Sequence, residues 1–120
     1  MVNLKGSIDN LDVKSDIKIV STVAVKLTGS SVPAGMKRWI TFVKLNNLNK
    51  GSNNITLCSS LSSNTASSNA AKDRVALANQ YDLVSYPEKP APLFSVASTA
   101  FLTAKSSNGK MDVFVQYYDS

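Results

Sequence analysis

The side chains that could perform acid–base chemistry in this chain are its eight acidic residues. A catalytic pair needs two carboxylates held across one cleft, in environments that move their pKa values apart. Here the acidic residues fall mostly in turns and at strand ends, where solvated carboxylates are ordinary. They are Asp9, Asp12, Asp16, Asp73, Asp82, Glu88, Asp112 and Asp119. The sequence therefore predicts a protein that is not an enzyme.

Metal and cofactor chemistry has no better support in the sequence. The chain has no histidine and a single cysteine, Cys58, which lies in an apolar stretch typical of a small core residue. Asp9, Asp12 and Asp16 loosely resemble a calcium loop, but its closing glutamate is missing. The glycine-rich, paired-cysteine, zinc-protease and serine-hydrolase motifs are absent from the sequence. We expect no catalytic residues, no metal and no cofactor.

The charge and hydropathy of the sequence limit the classes of partner that we expect. The net charge of +5 comes mainly from lysines that stand singly along the chain, and there are few arginines. Nucleic-acid-binding proteins usually concentrate positive charge and mix in arginine, so we do not expect nucleic acid as a partner. No apolar run approaches the roughly 20 residues of a membrane span, and the first residues show no signal peptide. We expect a protein made in the cytoplasm that does not bind membranes.

Aromatic side chains are the remaining candidates for recognition. Trp39 could stack on a ligand, but on an apolar central strand we interpret it as a core residue. Tyr117 and Tyr118 are neighbours on one strand and must point to opposite faces of a sheet. One of the two is therefore expected in an exposed position or in an interface, where large aromatic residues are enriched.

Residues 32–48 are the stretch around which the other elements are organised. Val32–Gly35 is typical of a tight turn, because Pro33 presets φ and Gly35 can adopt a positive φ. The run from Arg38 to Leu45 carries apolar side chains at both parities. This pattern predicts a central strand that is covered on both faces.

Further strands are predicted on both sides of this stretch. Residues 17–28 alternate as one half-buried strand, whose buried face would carry Ile17, Ile19, Val23, Val25 and Leu27. Asn108-Gly109 predicts a hairpin between residues 98–105 and 111–118. Other strands are predicted over residues 54–59, 81–86 and 93–96. Residues 72–79 allow a short helix or a strand, and we favour the strand.

About eight strands at intervals near ten residues predict an all-β fold, a single antiparallel β-sandwich or jelly roll. Residues 59–71 predict a mobile loop, and residues 87–92 a proline-rich extended connection. Residues 1–16 are either an edge strand or an arm that docks on a neighbouring subunit, ahead of a sandwich domain over residues 17–120. The predicted protein interface comprises Leu4, Ile8, Leu11, Val13, Arg38, Tyr117 and Tyr118.

Two parts of the sequence resemble small β-sandwich proteins of tailed-phage particles. The first is the Val32-Pro33-Ala34-Gly35 turn with the apolar strand and Asn-rich turn that follow it. The second comprises residues 74–78 and 81–86, and then the strand pair 101–109 and 111–118. The resemblance extends over residues 17–119. The proline stretch and the N-terminal residues depart from the family pattern.

The resemblance implies a virion structural protein, and most specifically a capsid decoration (cement) protein. Such a protein binds the outer capsid surface as a homotrimer and bridges capsomers. Its implied partners are the major capsid protein and further copies of itself, and its implied location is the capsid surface of the virion. A tail or head-fibre component is the alternative within the family. A carbohydrate-binding module is the alternative outside it, motivated by Trp39, the tyrosines and the Asn-rich turns.

Overall fold

The computed structural model describes residues 13–62, 66, 71–81, 83–86 and 93–120. Within these residues the chain forms nine β-strands. They are β1 (Lys14–Val20), β2 (Val25–Lys26), β3 (Arg38–Asn47), β4 (Asn53–Ser60), β5 (Ala71–Leu77), β6 (Leu83–Tyr86), β7 (Phe94–Val96), β8 (Phe101–Ser106) and β9 (Met111–Asp119). The all-β prediction is confirmed, and residues 71–77 form a strand, as favoured.

The strands form two antiparallel sheets. The five-stranded sheet has the order β1-β9-β3-β6, with β7 also paired to β3, and the four-stranded sheet has the order β2-β8-β4-β5. With β7 set aside, this is the strand order of a jelly-roll sandwich. β3 lies between β9 on one side and β6 and β7 on the other, so its predicted central position is confirmed.

The core fills the space between the two sheets. β9 contributes alternate side chains to it, because successive residues of a strand point to opposite faces. The residues buried in this cluster are Val20, Leu27, Val32, Ile40, Val43, Leu45, Ile55, Leu57, Leu77, Val96, Ala100, Leu102, Ala104, Met111, Val113, Val115 and Tyr117. Cys58 is also buried, as predicted. Both sheets therefore turn one apolar face inward.

The predicted single strand over residues 17–28 is wrong. β1 ends at Val20, and the chain then crosses to the other sheet, where Val25 pairs with Ala104. Residues of the same parity before and after this crossing therefore need not lie on the same face. Ile17 and Ile19 point outward from the five-stranded sheet, whereas Val20 is buried. Alternation in the sequence could not show that the two halves belong to different sheets.

The hairpin predicted at Asn108-Gly109 is also wrong. β8 and β9 lie in different sheets, so this turn connects the two layers instead of joining paired strands. The buried side chain of Asn53 holds the turn: its Nδ2 donates to the Gly109 carbonyl at 3.0 Å, and its Oδ1 accepts from the Asn108 N–H at 3.0 Å. A Cβ on Gly109 would lie 2.6 Å from Oδ1 of Asn49. A larger residue at position 109 would therefore force the Asn49 side chain to move.

The turn before β3 differs slightly from its prediction. The Met36 N–H donates to the Pro33 carbonyl at 3.1 Å, so Pro33 is the first residue of the turn and Gly35 the third. Gly35 has a φ of 81°, which confirms its predicted positive value. A positive φ at the third position is the requirement of a type II turn.

Both faces of β3 were expected to be covered, and this expectation is wrong. The register between β3 and β9 shifts between Ile40 and Phe42. This bulge places Ile40, Val43 and Leu45 in the core while Trp39 and Phe42 lie on the outer face, half-buried. The mixed parity of the apolar residues therefore reflects a bulge.

Several predicted segments fall partly or wholly outside the described residues. The proline stretch 87–92 and residues 1–12 lie outside them, as do residues 63–65 and 67–70 of the predicted loop. β1 begins at Lys14, three residues before the predicted start of the sandwich domain. The division of the chain into 1–16 and 17–120 stays a prediction.

Arg38, the first residue of β3, joins distant parts of the chain. Its side chain is only 2% exposed. Nε and Nη2 donate to the two carboxylate oxygens of Asp119 at 2.7 and 2.9 Å. Nη1 donates to Oγ1 of Thr28 and to the Ser30 carbonyl, both at 2.8 Å. Burial lowers the pKa of Arg38, but the paired carboxylate of Asp119 outweighs it and the net pKa is raised.

The ring of Tyr117 extends this network to β1. The Arg38 guanidinium lies 4.6 Å from the centre of the Tyr117 ring, at cation–π distance. The Tyr117 hydroxyl donates to Oδ2 of Asp16 on β1 at 2.9 Å. Burial, followed by the bond to Asp16, raises the pKa of Tyr117 to about 12. The network thus spans β3, β9, β1 and the residues before β3.

Asp119→Asn tests the Arg38–Asp119 pair. The amide keeps the shape of the side chain but removes its charge, which leaves a buried guanidinium without a counter-ion. We expect the free energy of unfolding in urea to fall by about 3 kcal/mol. Asp112→Asn, at an outward-facing position of the same strand, is the control and should change it by less than about 0.5 kcal/mol. Equal losses of unfolding free energy in the two variants would contradict a stabilising role of the Arg38–Asp119 pair.

The raised pKa of Tyr117 predicts a loss of stability in alkali. The unfolded tyrosine loses its proton near pH 10 and the folded one near 12, so stability is complete below 10 and falls as pH rises through 12. The loss attributable to this group should reach about 2 kcal/mol. Unfolding of the wild type and of Tyr117→Phe between about pH 9 and 12 measures it, because lysine titration affects both alike. A constant difference between them across this range would refute the prediction.

Candidate interaction surface

The outward side of the five-stranded sheet carries several exposed or half-buried apolar side chains, and we call it the outer face. Cross-strand register arranges its side chains in rows running from β1 through β9 to β3 and β6. One row holds Ile17, Phe114 and Lys44. Among the described residues, the outer face comprises Ser15, Ile17, Ile19, Trp39, Phe42, Lys44, Asn46, Leu83, Ser95, Asp112, Phe114, Gln116 and Tyr118.

Large apolar side chains on this face lie in water. Ile17 is 67% exposed, Ile19 58% and Leu83 57%. Phe42 and Phe114 are half-buried and meet edge to face, with ring centres 5.9 Å apart and planes at 70°. Single exposed apolar residues are ordinary on proteins, but a contiguous group of them marks a surface that contacts something else.

A depression of about 370 Å³ lies at the middle of the outer face. Ile17, Phe42 and Phe114 supply its apolar wall, and Lys44, Asn46 and Asp112 its polar wall. Oδ1 of Asn46 is buried and accepts no hydrogen bond from any described residue. A buried amide oxygen without a donor loses free energy, so a bound group that donates to it would gain more than it would at an exposed acceptor.

Trp39 lies at one end of the outer face and is not a core residue, so its interpretation as core is wrong. Its indole N–H donates to Oγ of Ser120 at 3.0 Å. The ammonium of Lys37 lies 5.7 Å from the ring centre. The bulge in β3 explains this position, since it separates the parity of Trp39 from that of the buried Val43. The indole N–H of Trp39 is thus hydrogen-bonded within the chain, and its ring already contacts the Lys37 ammonium.

The predicted interface residues lie in three different environments. Leu4, Ile8 and Leu11 lie outside the described residues. Arg38 and Tyr117 are buried in the network described above, so their side chains do not reach the surface. Val13 is 51% exposed beside β1, and Tyr118 is half-buried on the outer face. The role of all seven in an interface stays a prediction.

Sequence reasoning missed the main members of the outer face. Phe114 and Phe42 carry its centre, and Ile17 had been assigned to the buried face. The sequence held one signal, because Phe114 alternates out of phase with the buried residues Met111, Val113 and Val115. An aromatic residue on the polar parity of a strand indicates a surface that is more apolar than solvent requires.

The described residues do not assemble reactive groups. Asp16 and Asp119 bind Tyr117 and Arg38, and Asp112 lies on the outer face. No three metal-binding side chains come together in the described part of the chain. Burial raises the pKa of the Cys58 thiol, which keeps it in the protonated form that is not nucleophilic. The described residues contain no helix that is long and apolar enough to cross a membrane.

No protein-family model and no curated protein matches this sequence. Among solved structures, the Dit protein of phage SPP1, a hub of the adsorption apparatus in phages infecting Gram-positive bacteria, is similar at 5% identity and a TM-score of 0.46. The similarity covers 86% of this chain and 46% of Dit, so the chain spans about half of Dit's length.

Two further solved structures are similar to this chain over most of its length. PirA is 10% identical with a TM-score of 0.46, over 87% of this chain and 92% of PirA. A chain of the cyanophage Pam1 capsid is 14% identical with a TM-score of 0.31, over 90% of this chain and 85% of that one. With TM-scores below 0.5, none of these likenesses supports a conclusion about this chain.

Proposed function

We propose that this chain is a structural protein of a phage particle, and specifically a decoration protein bound to the outer surface of the capsid. The observation that carries the proposal is the outer face. There a sheet with a complete core on its other side leaves Ile17, Phe42 and Phe114 partly in water. The resemblance of the turn at residues 32–35 and its following strand to phage β-sandwich proteins supplies the kind of partner.

The mechanism requires binding and no bond making. A protein that binds the assembled shell but not its separated subunits stabilises the shell by mass action. Bridging two capsomers adds interface area at the junction that internal pressure would open. The net charge of +5 favours approach to an acidic capsid surface, and this contribution weakens with salt.

The arrangement of the outer face suits such a contact. Its centre is the Phe42–Phe114 pair, and the charged side chains of Lys44 and Asp112 lie beside it. An apolar centre with polar groups around it is the usual anatomy of a protein interface. We place the capsid contact on this face.

Co-sedimentation with shells tests the proposal. The shells are those assembled from the major capsid protein encoded in the same genome, and the chain is added after assembly. We expect the wild type to sediment with the shells and Phe114→Lys to bind at least tenfold more weakly, because a charge would be buried at the interface centre. Leu61→Lys, at a side chain that is 77% exposed at the end of β4, is the matched control and should bind normally.

Two results would reject this function. The first is a wild-type chain that stays in the supernatant at low salt. The second is binding that Phe114→Lys and Leu61→Lys reduce equally, which would remove the outer face from the contact. Thermal unfolding of each variant shows that the fold is kept.

A carbohydrate-binding module is the second candidate, and the depression on the outer face favours it. Two aromatic rings packed edge to face, beside an unpartnered amide oxygen and a carboxylate, are groups that sugars bind. Screening on a glycan array, followed by titration of any sugar that binds, tests this role. Sugar binding should be lost in Phe42→Ala and Asn46→Ala but kept in Leu61→Ala. An array without a hit would discard it.

A further inference from the structure

β1 is an edge strand whose second edge meets no other strand among the described residues. It pairs with β9 along its whole length, from Lys14 opposite Tyr117 to Val20 opposite Met111, without a register shift. Natural edge strands are usually kept short, bulged or broken by proline. β1 is seven residues long and has none of these interruptions. Its outward side chains Ile17 and Ile19 are 67% and 58% exposed.

We propose that β1 is the contact between two copies of this chain, paired antiparallel about a two-fold axis at Ile17. The axis stands perpendicular to the sheet, so residues of the same face meet across it. With Ile17 on the axis, every residue of β1 is paired, because Ile17 is the middle residue of Lys14–Val20. Moving the axis along the strand leaves residues unpaired at its ends.

Charge selects the same register. With the axis at Ile17, Asp16 lies opposite Lys18 of the partner subunit, and symmetry makes this pair twice. With the axis at Asp16, two Asp16 carboxylates would face each other, and Lys14 would face the partner's Lys18. With the axis at Lys18, two lysines would face each other. Opposite charges on facing residues stabilise a strand pair and like charges destabilise it, so the Ile17 register is favoured.

The network around Arg38 fixes the position of a charged side chain on β1. The Tyr117 hydroxyl bonds Oδ2 of Asp16 at 2.9 Å, which holds the carboxylate on the inward side of β1. Lys18 lies on the same side two residues later and is exposed. Without an acidic partner, Lys18 would protect the edge by repelling a second strand. Next to a partner's Asp16 it instead completes a pair.

Pairing would also enlarge the outer face. Because the axis is perpendicular to the sheet, the outer faces of both copies lie on one side of a continuous sheet. The partner's Ile17 meets Ile17 at the axis, and Ser15 meets the partner's Ile19. The contact is two-fold, so it makes a dimer where the resemblance implied a homotrimer. The inference goes beyond the proposed function and does not depend on it.

Sedimentation equilibrium of the purified full-length chain tests the contact. We expect twice the mass of one chain, with a dissociation constant that rises at least tenfold in Ile17→Lys, because two ammonium groups would face each other at the axis. Val23→Lys is the matched control, since Val23 is also 67% exposed but lies outside β1. It adds the same charge and should leave the dimer intact.

Lys18→Asp identifies the register. With the axis at Ile17, the new carboxylate faces the partner's Asp16 and the dimer weakens. With the axis at Asp16, it would face the partner's Lys14 and the dimer would strengthen. With the axis at Lys18, one like-charge pair would replace another and the affinity would change little. Only weakening supports the proposal, and either other outcome overturns it.

Ile17→Cys gives a covalent measure of the same geometry. Facing residues of antiparallel strands have Cα atoms about 4.5–5.5 Å apart, within the range that a disulfide spans. We expect mild oxidation to link two chains in this variant and not in Val23→Cys. The native Cys58 is 0% exposed and does not compete.

The remaining outcomes reject the proposal. A monomer at all concentrations rejects it, including the case in which dimers form only after residues 1–12 are deleted, since the chain's own residues would then occupy the edge. A trimer that Ile17→Lys leaves unchanged rejects it as well. Shell binding is measured separately: its loss with the dimer intact would remove the proposed function and leave this contact standing.

Discussion

The buried guanidinium of Arg38 is the constraint on which the arrangement of the five-stranded sheet depends. A charge that is 2% exposed must be matched by acceptors, because its desolvation is costly. Asp119 matches the charge and accepts hydrogen bonds from Nε and Nη2, while Oγ1 of Thr28 and the Ser30 carbonyl accept those of Nη1. These partners come from distant parts of the chain. One side chain thus fixes the start of β3 against the end of β9.

Tyr117 connects the Arg38 guanidinium to β1 at the edge of the sheet. Its ring lies against the guanidinium and its hydroxyl holds Asp16, so β1 is tied to the interior by a polar bond as well as by its strand pairing. This tie matters for association. An edge strand held in one position offers its backbone groups and side chains in one register, which lowers the ordering cost of pairing with another strand.

The outer face follows from how the core is filled. The inward residues of β3 and β9 pack against those of β4 and β8. Phe42 and Phe114, which lie on the opposite side of these strands, are not part of this core cluster. The bulge between Ile40 and Phe42 then places Phe42 outward, beside Phe114. A sandwich with a complete interior and a second apolar surface is suited to a role in assembly. A contact at β1 and a contact on the outer face would be adjacent and would share Ile17 and Ile19.

The fold class was predictable from the sequence, because turn residues and β-branched runs act locally. Gly35 at a turn followed from such a local signal, and the alternation of Val75 and Leu77 favoured the strand where alanine propensity favoured a helix. The central position of β3 was predicted from two covered faces, and it is correct although the outer face is not covered. The sequence could not show that Asn108-Gly109 connects two sheets instead of forming the predicted hairpin, since the same dipeptide suits a turn between sheets when Asn53 bonds its backbone from a distance. The single strand expected over residues 17–28 is wrong because the chain crosses between the sheets after Val20, and alternation along the sequence does not show a crossing.

The candidate surface was predictable only in small part. The sequence by itself determined the all-β fold class, the alternation of Met111, Val113 and Val115 with Asp112, Phe114 and Gln116, and the lack of recognisable catalytic motifs. Only the tertiary structure decided that Arg38 is buried, that Trp39, Phe42 and Ile17 lie on the outer face, and that β1 is an edge. The physical reason is that a bulge, a crossing between sheets and a buried ion pair each depend on residues far apart in the chain, whereas sequence patterns report only what neighbours along the chain prefer.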